Sequence, residues 1–368
     1  MRKKSEIKIS GMICVAFIWL IISIFVWIWP EKEISESERR LLEQFPELTA
    51  QDVLSGDFAK DFETYTLDQF PMRDVFRQVK SLFHYYVLQQ KDINNVYIYD
   101  GYAAKMEYPL NQASLEYSVK KFNGVYENYL KGANARVYMS IVPDKGYYMA
   151  EESGHIVLDY EMMFAFIQNI EWAEYIDVTG ELSVSSYYRT DTHWRQEKIL
   201  QVAQKLCKDM NVLVPDAEEF VVEQVNKPFY GVYCGQAALP MLPDNMYIAI
   251  SNYTESSKVF DYEISRSISV YNDDAVNNKD LYDTYLHGAK ALLKIENSAA
   301  ETDRELIIFR DSFGSSIAPL MLKGYKSITL VDLRYINGDL LKSYIDFKDK
   351  DVLFLYSTLV LNNSFSIK

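Results

Sequence analysis

The sequence predicts an α/β fold built on a mostly parallel sheet, and three observations carry that prediction. From about residue 96 onward, short apolar runs alternate with stretches of helical periodicity, the rhythm that crossover connections impose on parallel strands. A chain of 368 residues with 49% hydrophobic and 24% charged side chains can build a sizeable core, as one large domain or two modest ones. With 14 Gly, 10 Pro and three Cys, and neither repeat nor biased tract, it is not a disordered, collagenous or disulfide-scaffold chain. Its formal charge of −14 opposes nucleic acid as a partner, because phosphate binding needs clustered Lys and Arg.

Residues 1–10 carry Arg2, Lys3, Lys4 and Lys8 against Glu6, and residues 11–29 are uncharged. Nineteen residues at about 1.5 Å each reach roughly 28 Å, near the thickness of a bilayer's hydrocarbon. The segment around Trp27, Ile28, Trp29 and Pro30 has no small-residue cleavage site, and Cys14 stands at the start of the apolar run. These features predict a single-pass signal anchor over 11–29. The basic tail 1–10 would then be cytoplasmic and the rest extracytoplasmic at the cell membrane. The portion after residue 29 has 34 basic and 51 acidic residues, a charge of −17.

Residues 30–90 are charge-rich with helical periodicity, broken at Phe45-Pro46, Gly56 and Phe70-Pro71, and read as a membrane-proximal helical segment. The α/β domain spans 91–368. Strands are expected at 96–99, 137–142, 175–178, 292–295, 306–309, 328–333 and 352–356. Helices are expected around 115–129, 162–173, 199–210, from 315, and near 340–345. Between about 212 and 271, short strands at 229–233, 246–250 and 259–264 predict an antiparallel insertion. Cys207 and Cys234 have a spacing compatible with a disulfide or with two thiols.

Two segments carry the chemistry, each at a strand end where α/β sheets gather ligands. In Arg310-Asp311-Ser312-Phe313-Gly314 an apolar strand runs into a turn and a helix. Ser312 would sit at the helix start, near unpaired N–H groups able to hold an oxyanion. The plain alternative is that Asp311 or Ser312 is an N-cap. In residues 188–194, Asp191 lies two residues before His193, so its carboxylate can orient the imidazole. The plain alternative is a packed histidine beside a surface aspartate. Only four His occur, at 84, 155, 193 and 287, without an i,i+4 pair, so no metal site is expected, and no cofactor. Together the two segments supply nucleophile, base and orienting carboxylate.

Tyr188-Arg189-Thr190-Asp191-Thr192-His193-Trp194, followed by Arg310 to Gly314, resembles the DHHW proteins and the AlgJ and AlgX type of alginate O-acetylation proteins. The likeness extends through Glu36–Leu41, Asp68–Arg73, Val142-Pro143-Asp144-Lys145 and Val331-Asp332-Leu333-Arg334. Thr192 stands where the first His of the DHHW name would fall. The resemblance implies an SGNH-hydrolase-like three-layer sandwich with Ser312 as nucleophile, His193 as base and Asp191 as orienter. Arg334, Lys145 and Arg310 would contribute to substrate binding. It further implies a serine O-acetyltransferase acting on a cell-envelope or exported polysaccharide, with acyl groups supplied by a multi-pass membrane acyltransferase. Two alternatives stay open: a carbohydrate esterase with the same triad, and a non-catalytic glycan-binding or assembly subunit.

Overall fold

A computed structural model describes residues 2–368; of residues 2–11 and Trp27 only the backbone is described. The side chains of the expected tail, 1–10, therefore lie outside the described ones. The chain divides into two compact units. One comprises residues 1–90 with 235–240, the other 91–234 with 241–368.

The first unit opens with α1 (Arg2–Ile28), followed by α2 (Ala50–Ser55), α3 (Asp57–Asp68) and α4 (Arg73–Leu82). Thr49 caps α2 by accepting a hydrogen bond from Asp52 N, and Gly56, at φ 88°, lets the chain turn from α2 into α3. The charge-rich composition is used locally. Arg40 donates to both oxygens of Asp68 (2.6 and 2.8 Å), and Glu38 pairs with Arg73 (2.6 Å) and Arg77 (3.1 Å). Phe45 packs edge-on against Phe62 and Tyr65.

The expected membrane anchor is not supported. Among the described residues no helix is long and apolar enough to cross a membrane. The single-pass location at the cell membrane, with the rest of the chain outside it, loses its basis with that finding.

The second unit is a mixed α/β body around one large sheet. A hairpin of β1 (Val96–Tyr99) and β2 (Tyr102–Lys105) turns through Asp100 and Gly101, both at positive φ, as a two-residue turn requires. The sheet is built from β3 (Arg136–Val142), β4 (Glu174–Tyr175), β7 (Ser257–Asp261), β8 (Arg266–Ile268), β9 (Leu292–Asn297), β10 (Glu305–Arg310), β11 (Ser327–Val331) and β12 (Asp351–Ser357). A separate antiparallel pair is formed by β5 (Val221–Phe229) and β6 (Asp244–Ile250). The order across the sheet is β8-β7-β9-β11-β10-β12-β3-β4. The block from β11 to β4 is parallel and the three strands at the other edge are antiparallel.

Both faces of the parallel block are buried, so its strands read as continuous apolar runs. Leu306, Ile308, Leu330, Leu353 and Leu355 join the core on one face with Val202, Leu206 and Trp194. Ile307, Phe309, Val331, Phe354 and Tyr356 join the other with Leu115, Phe122, Met163 and Ile167. Cys207 is a buried thiol in the first of these cores, and neither it nor Cys234 is in a disulfide.

Several elements differ from expectation. The strand expected at 229–233 stops at Phe229, because the N–H groups of residues 231–234 turn toward Thr190 and Asp191 instead of a ladder. The region 212–271 is antiparallel, but its later strands β7 and β8 extend the large sheet, with Ser257, Val259 and Asp261 turned inward. The helix after Ser312 is one α-turn, Gly314–Ile317, continued as a 3-10 segment through Pro319 to Gly324.

Candidate active site

Ser312 lies just past the carboxyl end of β10, where the strand meets its one-turn helix. Asp311 builds this turn. Its Oδ1 accepts from Phe313 N (3.0 Å), and its Oδ2 accepts from Ser357 N at the end of neighbouring β12 (2.7 Å). The capping alternative thus applies to Asp311, while the half-buried Ser312 hydroxyl is left for other work. Gly314 is needed for close approach: a Cβ there would stand 2.7 Å from Arg310 Cβ. The expected cluster of free helix-start amides is mostly spent. Phe313 N and Gly314 N both bond to Asp311, and only Ser312 N lacks a partner among the described residues.

The 188–193 segment has no regular structure and folds back on itself, Tyr188 N donating to His193 O (3.1 Å). His193 N and Nδ1 both face Asp191 Oδ1, at 3.1 and 2.6 Å. His193 Nε2 lies 2.7 Å from Ser312 Oγ. Three side chains separated by up to 121 positions therefore form one hydrogen-bonded chain, buried at Asp191 and opening at Ser312. A carboxylate at Nδ1 places the proton there and leaves Nε2 able to accept one from the hydroxyl. Tyr282 stacks flat on the imidazole (centroids 3.8 Å, planes 11° apart), and its hydroxyl meets Ser316 Oγ at 2.8 Å.

The loop is held by long-range contacts. Asp244, at the start of β6, accepts from Arg189 N, Thr190 N (both 2.9 Å) and Thr190 Oγ1 (2.7 Å). Thr190 Oγ1 accepts from Gly231 N (2.8 Å), and Asp191 Oδ2 from Val232 N (2.8 Å). A Cβ on Gly231 would stand 2.3 Å from Asp191 Cβ, so only glycine fits. Arg189 O accepts from Ala103 N in β2 (2.7 Å).

The residues expected to bind substrate are placed differently. Arg310 is fully buried, its guanidinium directed to the carbonyls of Asp311 and Lys290 (both 3.3 Å) and 3.7 Å from Asp332. Arg334 grips Asp332 through two bonds, 2.9 and 2.7 Å, and is partly exposed. Lys145 is 2% exposed and donates to Tyr188 O (2.8 Å) and Arg189 O (3.4 Å). Burial pulls its pKa down to about 7, against the raising influence of Asp191, Asp244 and Asp144. Sequence reasoning missed Asp244, Gly231 and Tyr282, whose only local marks are a carboxylate before a strand, a lone Gly and one Tyr among 29. Among the described residues no group of three or more His, Cys, Asp or Glu converges as metal ligands would.

The fold is a mixed α/β one, with Ser312 at a strand end hydrogen-bonded in line with His193 and Asp191. No family model matches the chain, and none of the curated proteins is a detectable relative. Solved structures do match. The chain is similar to a DHHW family protein from Eubacterium siraeum, 21% identical over 75% of this chain and 95% of that one, with a TM-score of 0.60. It is also similar to PatB1 from Bacillus cereus, 18% identical over 72% and 96% of the two chains, TM-score 0.57; PatB1 has also been solved with a sulfonyl adduct. The O-acetyltransferase domain of AlgJ from Pseudomonas putida matches at 14% identity over 73% and 92%, with a TM-score of 0.45. The resemblance read from the motifs thus reappears among the chain's structural neighbours.

Proposed function

We propose that this chain is a serine acyltransferase that O-acetylates a polysaccharide, with an SGNH-hydrolase-like three-layer domain over residues 91–368 and a distinct helical segment over 30–90. The observation that carries the reading is the 2.7 Å contact between Ser312 Oγ and His193 Nε2, backed by Asp191 at Nδ1. Ser312 Oγ attacks the carbonyl carbon of an acetyl donor while its proton passes to His193 Nε2. The Ser312 N–H is the available donor for the oxyanion. Collapse expels the donor's leaving group, which takes the proton from Nε2, and leaves acetyl-Ser312. A sugar hydroxyl then gives its proton to Nε2 and attacks the acyl carbon, and Ser312 Oγ leaves and is reprotonated. Asp191 stays ionised throughout and steadies the imidazolium.

PatB1, a structural neighbour, has been solved with a sulfonyl adduct, and a sulfonyl fluoride is a probe that an activated serine here would take up. The test offers an acetyl ester with and without an oligosaccharide to wild type and Ser312→Ala. Acetylated oligosaccharide from wild type alone is the expected result. Free acetate with no acetylated sugar makes the chain an esterase, and unchanged acetylation by Ser312→Ala overturns the nucleophile.

A further inference from the structure

Lys145 is an unusual residue to find where it is. A lysine head group strongly prefers water, and one that is 2% exposed must be held by something that uses it. It begins the short helix Lys145–Met149 that follows β3. Both hydrogen bonds from Nζ go to backbone carbonyls of the segment leading to Asp191, those of Tyr188 and Arg189. The ring of Tyr233 lies 5.0 Å from Nζ, and the Tyr233 hydroxyl reaches Thr192 Oγ1 (3.2 Å), so ammonium and ring grip the same loop. So deeply buried, the ammonium is screened from any polysaccharide at the surface.

We propose that Lys145 is a positioning residue of the Ser312 site, its buried head group fixing the loop that carries Asp191 and His193. This rests on the acyl-transfer reading of that site. The charged and titratable groups facing this region are Asp144 beside Lys145, Asp191 in the loop, Asp244 from β6, and Tyr233 from helix Val232–Ala237. Tyr282 and Asp311 lie on the His193 and Ser312 side, and Glu107 acts on Tyr233 from farther off. The carboxylates balance the ammonium without replacing its two directed hydrogen bonds.

The test measures kcat and KM of wild type, Lys145→Met and Lys145→Arg on an acetyl ester, together with labelling by methanesulfonyl fluoride and a denaturant melt of each sample. For Lys145→Met, kcat falls about 100-fold with KM within about twofold and labelling slows in step, while Lys145→Arg recovers most of the loss. A raised KM at unchanged kcat makes Lys145 a substrate ligand, and a lowered kcat explained by the lost fraction of folded protein makes it merely structural; either overturns the proposal. Should Lys145→Met not fold, Lys145→Gln gives the same readout, and should that also fail, a folded Lys145→Arg as inactive as Ser312→Ala overturns it. Ser312→Ala separates the two levels. If it is still labelled or active the acyl-transfer reading falls, whereas its silence beside an unaltered Lys145→Met removes only the role of Lys145.

Discussion

The two segments that meet at the candidate site are built by different physics. The Ser312 turn is continuous with a central strand. Its geometry follows from β10 ending beside β12, and one carboxylate, Asp311, ties the turn to both its own helix start and the neighbouring strand. The 188–193 segment belongs to no strand or helix, and its shape is imposed by Asp244, Gly231, Val232, Lys145 and Ala103 from four other places in the sequence. A nucleophile set by local geometry thus faces a base set by long-range hydrogen bonds. The turn should tolerate changes elsewhere, and the loop should not.

The largest effects are expected at the contact the two segments share. Ser312→Ala and His193→Asn should each lower kcat for acetyl transfer by at least about 1,000-fold, with stability changed by less than about 1 kcal/mol. Steady-state kinetics and a denaturant melt on the same samples decide it. Gly231→Ala comes next. The new methyl collides with Asp191 Cα and Cβ, so the loop shifts, costing about 1–3 kcal/mol and about 100-fold in kcat. A variant of wild-type activity would show that the loop is locally determined after all.

Asp244→Asn keeps the shape but replaces one carboxylate oxygen by an NH2 group, against two N–H donors and one hydroxyl. About 1–2 kcal/mol of stability and about tenfold in kcat should be lost, with the Ser312 turn still labelled by a sulfonyl fluoride. In stability, as distinct from turnover, Lys145 gives a pH-dependent signature. Its pKa is about 7 in the fold against an ordinary 10.5, so between those values the unfolded chain binds more protons and stability rises with pH. The rise is cleanest between about pH 7 and 9, before Cys207, whose thiol burial pushes up to about 12, and the buried tyrosines act in the opposite sense. Urea melts across that window should show the rise in wild type and a flatter curve in Lys145→Met.

The smallest effect is expected at the other end of the same sheet. A cleft of about 500 Å³ lies there, lined by Lys258, Lys294, Glu296, Glu305 and Lys326 at the amino ends of β10 and β11 and the close of β9. Lys326 pairs with Asp303 at 3.0 Å in solvent, and Lys326→Ala should leave kcat and KM unchanged. A loss of activity there would move the site away from Ser312.

The α/β alternation, the strand entering Asp311-Ser312 and the pairing of Asp191 with His193 were legible because each rests on periodicity or short spacing, which the chain carries in itself. The substrate roles expected of Lys145 and Arg310 were not, because a cation's type does not reveal whether its head group reaches water, and here neither does. The membrane anchor is not supported either, since no helix among the described residues is long and apolar enough to cross a membrane. What the sequence determined by itself was which residues can do chemistry and which element carries each. Tertiary structure alone decided that a hydroxyl and an imidazole 119 positions apart would meet at 2.7 Å, because that distance depends on hydrogen bonds from β2, β6 and the residues around Gly231 that no local pattern announces.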